Sequence, residues 1–204
     1  MRLPPLYAIV DPLDSGRPPA ALAAALLAGG ARLLQLRLKA APARALLAAA
    51  AEIRPLAAAA GALFLVNDRP DIARAVEADG VHLGQDDLPV AAARQVLGPG
   101  RLVGVSTHDV GEARAAAAAG ADYVAVGPVY ATTTKPNALA PRGLDLIRAV
   151  RAAVGCPLVA IGGIDADTAS AVRAAGADAI AVIGAVVRAP DPAAAVRSLL
   201  ARLG

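Results

Sequence analysis

The chain has 204 residues, of which 57% are hydrophobic and 18% charged, and about a quarter are alanine. A chain of this length is expected to form one domain, residues 1–204, with a core large enough to exclude disorder. Its apolar runs break long before the ~18 to 20 residues that a bilayer-spanning helix needs. We expect no secretory signal in the opening segment, and the lone Cys156 excludes an internal disulfide. These features favour a cytoplasmic protein.

The formal net charge is +3, yet the basic side chains are spread along the chain and do not form one block. Three tyrosines and one phenylalanine also provide few aromatic surfaces on which nucleobases could stack. The sequence therefore argues against nucleic-acid and membrane partners, and it favours small-molecule ligands. It leaves assembly into a homo-oligomer open.

Apolar segments of strand length alternate along the chain with alanine-rich segments whose spacing predicts helices. In chain order, the predicted strands are residues 6–10, 33–37, 63–66, 81–83, 102–105, 123–126, 158–161 and 179–183. The clearest predicted helices are residues 42–60, 109–119, 143–153 and 166–175. Several helices are expected to end on a left-handed glycine that leads into the next strand, at Gly30, Gly80, Gly120 and Gly176.

Strands that are apolar on both faces and alternate with helices are typical of a parallel sheet covered by helices. The eight predicted strand–helix units fit the lower end of the size range of a (β/α)₈ barrel, or TIM barrel. A doubly wound open sheet is the alternative, but no G-x-G-x-x-G motif follows the first strand to favour it. In a barrel, the functional site lies where the strands end.

Polar side chains cluster at these predicted strand ends, and several are of types that are rare in this chain, such as lysine, asparagine and histidine. The main ones are Gln35, Arg37, Lys39, Asn67, Asp68, Asp87, Ser106, His108, Thr132, Thr134 and Lys135. The chain holds only two lysines, and both belong to this group. We hypothesise that the composition has drifted toward alanine and arginine, so that lysine has been retained only at positions where a substitution is not tolerated. The strand ends therefore predict a polar site.

Glycines end the seventh and eighth predicted strands, in the sequences AIGGID and AVIGAV. Glycine lets backbone N–H groups approach an anion, and barrels of this class commonly hold a phosphate after these two strands. The alternative is a tight strand-to-helix turn with Asp165 as the cap of the following helix.

Asp68 and Asp87 follow the third and fourth predicted strands, which are neighbours in a barrel, so their carboxylates are expected to converge. Two carboxylates suit a Mg²⁺ ion that keeps waters and binds a substrate diphosphate. The alternative is that each aspartate caps the helix that follows it. Three cations are expected at the same end of the barrel, which we call the rim: Arg37, Lys39 and Lys135. They favour the metal site and a strongly anionic ligand.

Gln35 and Arg37 alternate with leucines on the second predicted strand, so both are expected to point into the barrel. An arginine there without a partner would be costly, which favours a ligand-binding role for Arg37. His82 is expected to be a hydrogen-bonded core histidine. For His108 the spacing leaves three roles open: an acid or base, a phosphate ligand, or a residue that starts a helix.

The chain resembles the thiamine-phosphate synthase family from end to end, through motifs in a specific order. They are QLRLK at 35–39, VNDRPDIA at 66–73, DGVHLGQDD at 79–87, GVSTH at 104–108, GADYVAVGPVYATTTK at 120–135 and AIGGI at 160–164. The resemblance implies a Mg²⁺-dependent (β/α)₈ transferase of thiamine biosynthesis. Such an enzyme joins a hydroxymethylpyrimidine diphosphate to a hydroxyethylthiazole phosphate and releases diphosphate.

The resemblance also implies a role for each site residue. Contacts to the pyrimidine diphosphate fall to Gln35, Arg37, Lys39 and Asn67, and Mg²⁺ binding falls to Asp68 and Asp87. Ser106 and Lys135 bind the diphosphate, and together with Arg37 and Lys39 they assist its departure. The thiazole phosphate is held by Thr132, Thr134, Gly163 and the backbone of Ile183 and Gly184.

Two positions depart from the family pattern: Leu38 stands where an acidic residue is frequent, and Gly184 where a serine is common. Three other activities stay open. One is a thiazole tautomerase-like paralogue that uses His108, although such proteins tend to lack the two aspartates and the TxTK loop. The others are an aldolase-type barrel with Lys39 or Lys135 as a Schiff base, and a non-catalytic phosphate-metabolite binder.

Overall fold

The computed structural model describes residues 2–12, 15–132, 134 and 139–204. Its strands are β1 (Leu6–Val10), β2 (Leu33–Leu36), β3 (Leu63–Asn67), β4 (Gly80–Leu83), β5 (Leu102–Thr107), β6 (Tyr123–Val126), β7 (Leu158–Ile161) and β8 (Ala179–Val182). All pairings between these described strands are parallel, and the pairing of β1 with β8 closes the barrel. The predicted (β/α)₈ barrel is therefore confirmed, and the open sheet is excluded.

Helices follow the strands around the outside of the barrel. In the described ranges they are α1 (Pro19–Ala28), α2 (Ala43–Ala59), α3 (Pro70–Ala75), α4 (Val90–Leu97), α5 (Val110–Ala118), α6 (Gly143–Ala153), α7 (Ala169–Ala174), α8 (Gly184–Val187) and α9 (Pro192–Leu203). The predicted bounds of α2, α5 and α6 hold to within one residue, whereas α7 is shorter because residues 166–168 form a turn. Within the described residues, no helix is long and apolar enough to cross a membrane.

Burial of the strands on both faces explains their nearly continuous apolar sequences. All residues of β4 and β6 are buried, because alternate side chains point into the barrel and toward the helix layer. On the outside, α2 buries Leu46, Ala50, Ile53 and Ala57, which lie on one helical face. The strand ends are thus fixed by a packed scaffold, and the loops that follow them carry the site.

Left-handed glycines end several of the helices, as predicted. The φ angles are 106° at Gly30, 87° at Gly120 and 112° at Gly176. The prediction for Gly80 is wrong, because Gly80 starts β4 and the left-handed residue after α3 is Glu77, with φ 54°. Gly80 is small for another reason: a Cβ atom there would collide with the backbone of Leu102 on β5.

Candidate active site

The carboxyl ends of β5 to β8 surround a cavity of about 480 Å³, within the range usual for small-molecule sites. A second space of about 30 Å³ lies inside the barrel. Ser106 and Ile183 line both spaces, so the two adjoin. The predicted site residues in the small space are Gln35, Arg37, Asn67, Ser106 and Ile183, and those in the large cavity are Ser106, Thr132, Thr134, Gly163, Ile183 and Gly184.

Gln35 and Asn67 provide the buried polar surface of the small space. Gln35 is 2% exposed and donates from Nε2 to the hydroxyl of Tyr7 at 2.7 Å. Asn67 is the last residue of β3 and is also buried. The prediction that Gln35 points into the barrel is therefore confirmed.

Arg37 lies directly after β2 and is held by an ion pair. Its Nη1 donates to a carboxylate oxygen of Asp11, which follows β1, and the two side chains are 12% and 11% exposed. Arg37 therefore has a protein partner, so the cost of burying it does not by itself require a ligand, although its side chain also lines the small space. Asp11 was missed although it directly follows the first predicted strand, because only the pairing of β1 with β2 shows that it lies beside Arg37.

A second charged group lies at the ends of β2, β3 and β4. The Nζ atom of Lys39 is 2.5 Å from Oδ2 of Asp68, whose backbone is left-handed with φ 61°. Asp87 accepts a hydrogen bond from the Gly84 N–H at 2.6 Å. Burial, reinforced by the neighbouring Asp68 carboxylate, raises the pKa of Asp87. The two carboxylates thus converge, as predicted.

The alternative that these aspartates cap helices is wrong. Arg69 is the N-cap of α3 and Pro89 that of α4, and neither of these described helices begins with a side-chain cap. Across the described residues, no group of three or more His, Cys, Asp or Glu side chains could hold a metal. Asp68 and Asp87 instead offer two oxygen donors, which fits Mg²⁺ because that ion keeps waters and takes further oxygens from a substrate.

Close backbone packing explains the glycine pair after β7. Gly162 and Gly163 have φ angles of 105° and 63°. A Cβ atom on Gly162 would lie 2.6 Å from Cα of Pro128, and one on Gly163 would lie 2.8 Å from Cβ of Tyr130. Both positions therefore require glycine, and their backbone lines the large cavity.

Asp165 closes the turn before α7 and does not cap the helix itself, whose N-cap is Thr168. Its Oδ1 accepts hydrogen bonds from the backbone N–H groups of Asp167 and Thr168, at 3.1 and 3.0 Å. Hydrogen bonding, chiefly from Thr168, lowers the pKa of Asp165. The proposed capping role is corrected accordingly.

Arg188 is a cavity residue that the sequence does not predict. A Cβ atom on Gly184 would lie 3.3 Å from Nη1 of Arg188 and 3.6 Å from Oγ1 of Thr134. Arg188 therefore reaches back over the first residue of α8. Among the described residues that line the cavity, it is the one permanent cation. Because arginine is common in this chain, with eighteen copies, the sequence alone does not distinguish Arg188 from the others. Only the position of α8 beside the cavity does so.

The remaining predicted residues have mixed outcomes. Thr132 accepts a hydrogen bond from the Thr134 N–H at 3.3 Å, whereas Lys135 lies outside the described residues.

His82 is buried and bonded through both ring nitrogens, which confirms the predicted core histidine. His108 lines the cavity, and its Nδ1 lies 3.0 Å from Oε2 of Glu112 at the start of α5.

A closed barrel whose strand ends combine a glycine-lined cavity with a converging acidic pair is typical of enzymes of the (β/α)₈ class that act on phosphorylated ligands. Residues 6–186 match the family model described as thiamine monophosphate synthase. The chain belongs to this family. The resemblance drawn from the motifs is therefore confirmed, and with it the expectation of a transferase of thiamine biosynthesis.

Relatives cover nearly the whole chain. The curated thiamine-phosphate synthases of Moorella thermoacetica and Chloroflexus aurantiacus are each 52% identical to it, over 95% and 96% of this chain and 93% and 91% of theirs. A solved structure, thiamine phosphate pyrophosphorylase from Pyrococcus furiosus, matches with a TM-score of 0.89 and 38% identity. That match covers 98% of this chain and 95% of the other.

Proposed function

We propose that this chain joins 4-amino-2-methyl-5-(diphosphooxymethyl)pyrimidine to 4-methyl-5-(2-phosphooxyethyl)thiazole, giving thiamine phosphate and diphosphate. The observation that carries the proposal is the meeting of a buried polar space and a glycine-lined cavity at Ser106 and Ile183. A condensation of two substrates needs adjoining subsites, because the nucleophile must be held against the carbon that it attacks. Family membership and the curated relatives support the same activity.

The pyrimidine subsite is assigned to Gln35, Arg37 and Asn67, which line the small space. Nε2 of Gln35 donates to the hydroxyl of Tyr7, so Oε1 is left to accept a hydrogen bond from the amino group of the pyrimidine ring. A space of about 30 Å³ holds about two water molecules and is too small for the whole ring, so the ring extends from it into the large cavity. That arrangement directs the reactive methylene toward Ser106.

Positive charge for the departing diphosphate is assigned to Arg37, Lys39 and Lys135, and a hydroxyl donor to Ser106. Arg37 is already oriented by Asp11, and Lys39 by Asp68. Cations that are oriented before the substrate arrives need little reorganisation as negative charge develops on the diphosphate. They therefore stabilise the transition state and lower the activation barrier.

The paired carboxylates of Asp68 and Asp87 are the proposed Mg²⁺ ligands. The donor set fits, because burial and the neighbouring Asp68 carboxylate raise the pKa of Asp87, and a cation bound between the two carboxylates would offset both effects. Bound there, the ion would supply positive charge to the diphosphate oxygens. Lys39 contacts Asp68 and so places a cation beside this pair.

The thiazole phosphate is assigned to the large cavity. Thr132 and Thr134 supply hydroxyl groups, and the backbone of Gly163, Ile183 and Gly184 lines the same wall. Arg188 adds a guanidinium group, which suits the planar, bidentate recognition of phosphate oxygens. The phosphate anchors the thiazole so that its ring nitrogen faces the pyrimidine methylene.

The bond changes balance without a protein nucleophile. The bond between the methylene carbon and the diphosphate oxygen breaks, and diphosphate leaves with the electron pair. The aminopyrimidine ring stabilises the resulting cation, and the thiazole nitrogen donates its lone pair to form the new carbon–nitrogen bond. The chain contributes charge, alignment and exclusion of water.

Domain organisation and location complete the proposal. We assign residues 1–204 to one catalytic domain, supported by the pairing of β1 with β8, which joins both ends of the sequence in one barrel. The lone cysteine and the biosynthetic role support a cytoplasmic location, and both substrates are small molecules.

The test mixes the purified protein with both substrates, with and without Mg²⁺, and measures thiamine phosphate and diphosphate by chromatography with mass detection. Equal amounts of the two products are expected, and only when Mg²⁺ is present. No product under either condition would contradict the proposed activity. Equal turnover after chelation would remove the metal role alone, and thiazole phosphate binding without turnover would indicate a non-catalytic binder.

A further inference from the structure

Five polar side chains cross the barrel interior as a continuous series of hydrogen bonds, which we call the interior relay. In order they are Gln35, Tyr7, Tyr123, His82 and Ser106, and the four contacts between them measure 2.7, 3.0, 2.9 and 2.9 Å. These residues come from β2, β1, β6, β4 and β5. The relay thus connects one substrate-lining residue, Gln35, with another, Ser106.

The chemistry of Gln35 sets the direction of the relay. Its Nε2 atom can only donate, so the hydroxyl of Tyr7 accepts there. The acceptor within the series for the Tyr7 proton is then the hydroxyl oxygen of Tyr123, 3.0 Å away. By the same step, Tyr123 donates to Nδ1 of His82. The imidazole then carries its proton on Nε2 and donates it to Oγ of Ser106.

We propose that Tyr7, Tyr123 and His82 are positioning residues that fix the hydroxyl of Ser106 as a hydrogen-bond donor toward the ligand. Since Oγ already accepts from His82, the remaining O–H of Ser106 points to the spaces that this residue lines. The identity of the ligand rests on the proposed function: a diphosphate offers only acceptor oxygens, so a serine locked as a donor matches it.

Counting hydrogens supports a single arrangement. The four contacts need four hydrogens, which the amide, the two phenols and a neutral imidazole supply, and the serine hydrogen is left over for the ligand. A doubly protonated His82 would donate to Tyr123 as well. One phenol hydrogen would then have no acceptor within the relay, which is costly in a buried site.

Packing keeps the phenols from turning away. Tyr7 and Tyr123 are 1% and 0% exposed, and their rings meet edge to face at 6.0 Å, while His82 stacks on Tyr123 at 5.6 Å. Gly104 leaves the room that the Tyr123 ring occupies. Burial raises the pKa of both phenols, so both stay protonated donors. Phenylalanine would fill the same volume, so packing alone does not account for the hydroxyl groups.

Nitrogen-15 NMR of the imidazoles in the free wild-type protein tests the direction of the relay. The chain has two histidines, and His108→Gln identifies which signals belong to His82. We expect a neutral His82 with its proton on Nε2 and an acceptor Nδ1. A proton on Nδ1, or on both nitrogens, would overturn the proposal. No substrate is used, so this result is independent of whether the proposed activity is found.

The variant Tyr7→Phe tests whether the distant amide sets the state of Ser106. It separates Gln35 from the rest of the relay while leaving Tyr123, His82 and Ser106 in place. We expect both His82 tautomers to be seen. Because losing a donor aimed at developing charge costs about 10²-fold, and this variant only weakens the preference, kcat should fall about tenfold.

Tyr130→Phe is the matched control, because Tyr130 is the third tyrosine and lies outside the relay. It should leave the tautomer of His82 and kcat unchanged. A Tyr7→Phe protein that keeps a single Nε2–H tautomer would overturn the proposal, whatever its melting temperature, since a merely structural role predicts lower stability without a tautomer change. If this variant does not fold, the wild-type spectrum still decides the question.

Discussion

Arg188→Ala is expected to weaken binding of the thiazole phosphate and to leave the KM for the pyrimidine diphosphate unchanged. The guanidinium lies at the wall of the large cavity, 3.3 Å from the point where a side chain on Gly184 would begin. It is the one permanent cation among the cavity residues that the structure describes. Removing it therefore lowers the positive charge at one substrate only.

The magnitude follows from the position of the guanidinium. A hydrogen bond between charged groups contributes about 1.5 to 3 kcal/mol, and the exposure of Arg188 to solvent favours the lower value. Since about 1.4 kcal/mol corresponds to tenfold in affinity, the KM for the thiazole phosphate should rise about tenfold. The corresponding thiazole alcohol has no phosphate to lose contact with, so its KM should change by less than about twofold.

The assay compares steady-state kinetics of the wild type and Arg188→Ala with the thiazole phosphate and with its alcohol. Arg197→Ala is the matched control, because Arg197 is on α9 and its side chain is 58% exposed. Gly184→Ala should give part of the same loss, since the added Cβ crowds Nη1 of Arg188. If Arg188→Ala changed the KM of phosphate and alcohol equally, or changed neither, the reasoning would be refuted.

Three further substitutions test the remaining parts of the site and barrel. Asp87→Asn should lower kcat by about 10²-fold at fixed Mg²⁺, with partial recovery when Mg²⁺ is raised, as measured by metal titration. Asp11→Ala leaves Arg37 without its carboxylate and should lower the free energy of unfolding by about 2 to 3 kcal/mol, measured by urea denaturation. Gly104→Ala forces a Cβ into a buried tyrosine ring and should lower the melting temperature by about 3 to 10 °C, whereas Gly155→Ala, with open space around it, should not.

Each of these has a contrary outcome. Wild-type turnover of Asp87→Asn with unchanged Mg²⁺ dependence would remove the metal role of this carboxylate. An Asp11→Ala protein as stable as the wild type would show that Arg37 needs no partner at the rim. Equal melting temperatures for Gly104→Ala and Gly155→Ala would show that the barrel interior accommodates the added methyl group without loss of stability.

Local patterns in the sequence were enough to predict the barrel. Each strand is a short apolar run, and the buried face of α2 repeats at helical spacing, so both can be identified without distant contacts. The convergence of Asp68 and Asp87 also followed from order alone, because consecutive strands are neighbours in this fold. Gly80 shows the limit of such patterns: its small size serves contact with β5, which a local pattern does not reveal.

The features that were missed depend on contacts between distant parts of the chain. Tyr7 and Tyr123 are 116 residues apart and meet only across the barrel interior. Asp11 becomes a partner of Arg37 through the register of β1 with β2. Arg188 reaches the cavity because its side chain extends back along α8 to Gly184. None of these residues has a neighbour in sequence that signals its partner.

The two departures from the family pattern have physical consequences that the structure makes visible. Leu38 packs against the core and carries no charge, yet the cations on either side of it each have an acidic partner from another strand end, Asp11 or Asp68. Gly184 offers no hydroxyl, but its missing side chain leaves the space over which Arg188 extends. The site therefore keeps oriented cations and a donor for phosphate, and it obtains them from residues that lie far away in the sequence.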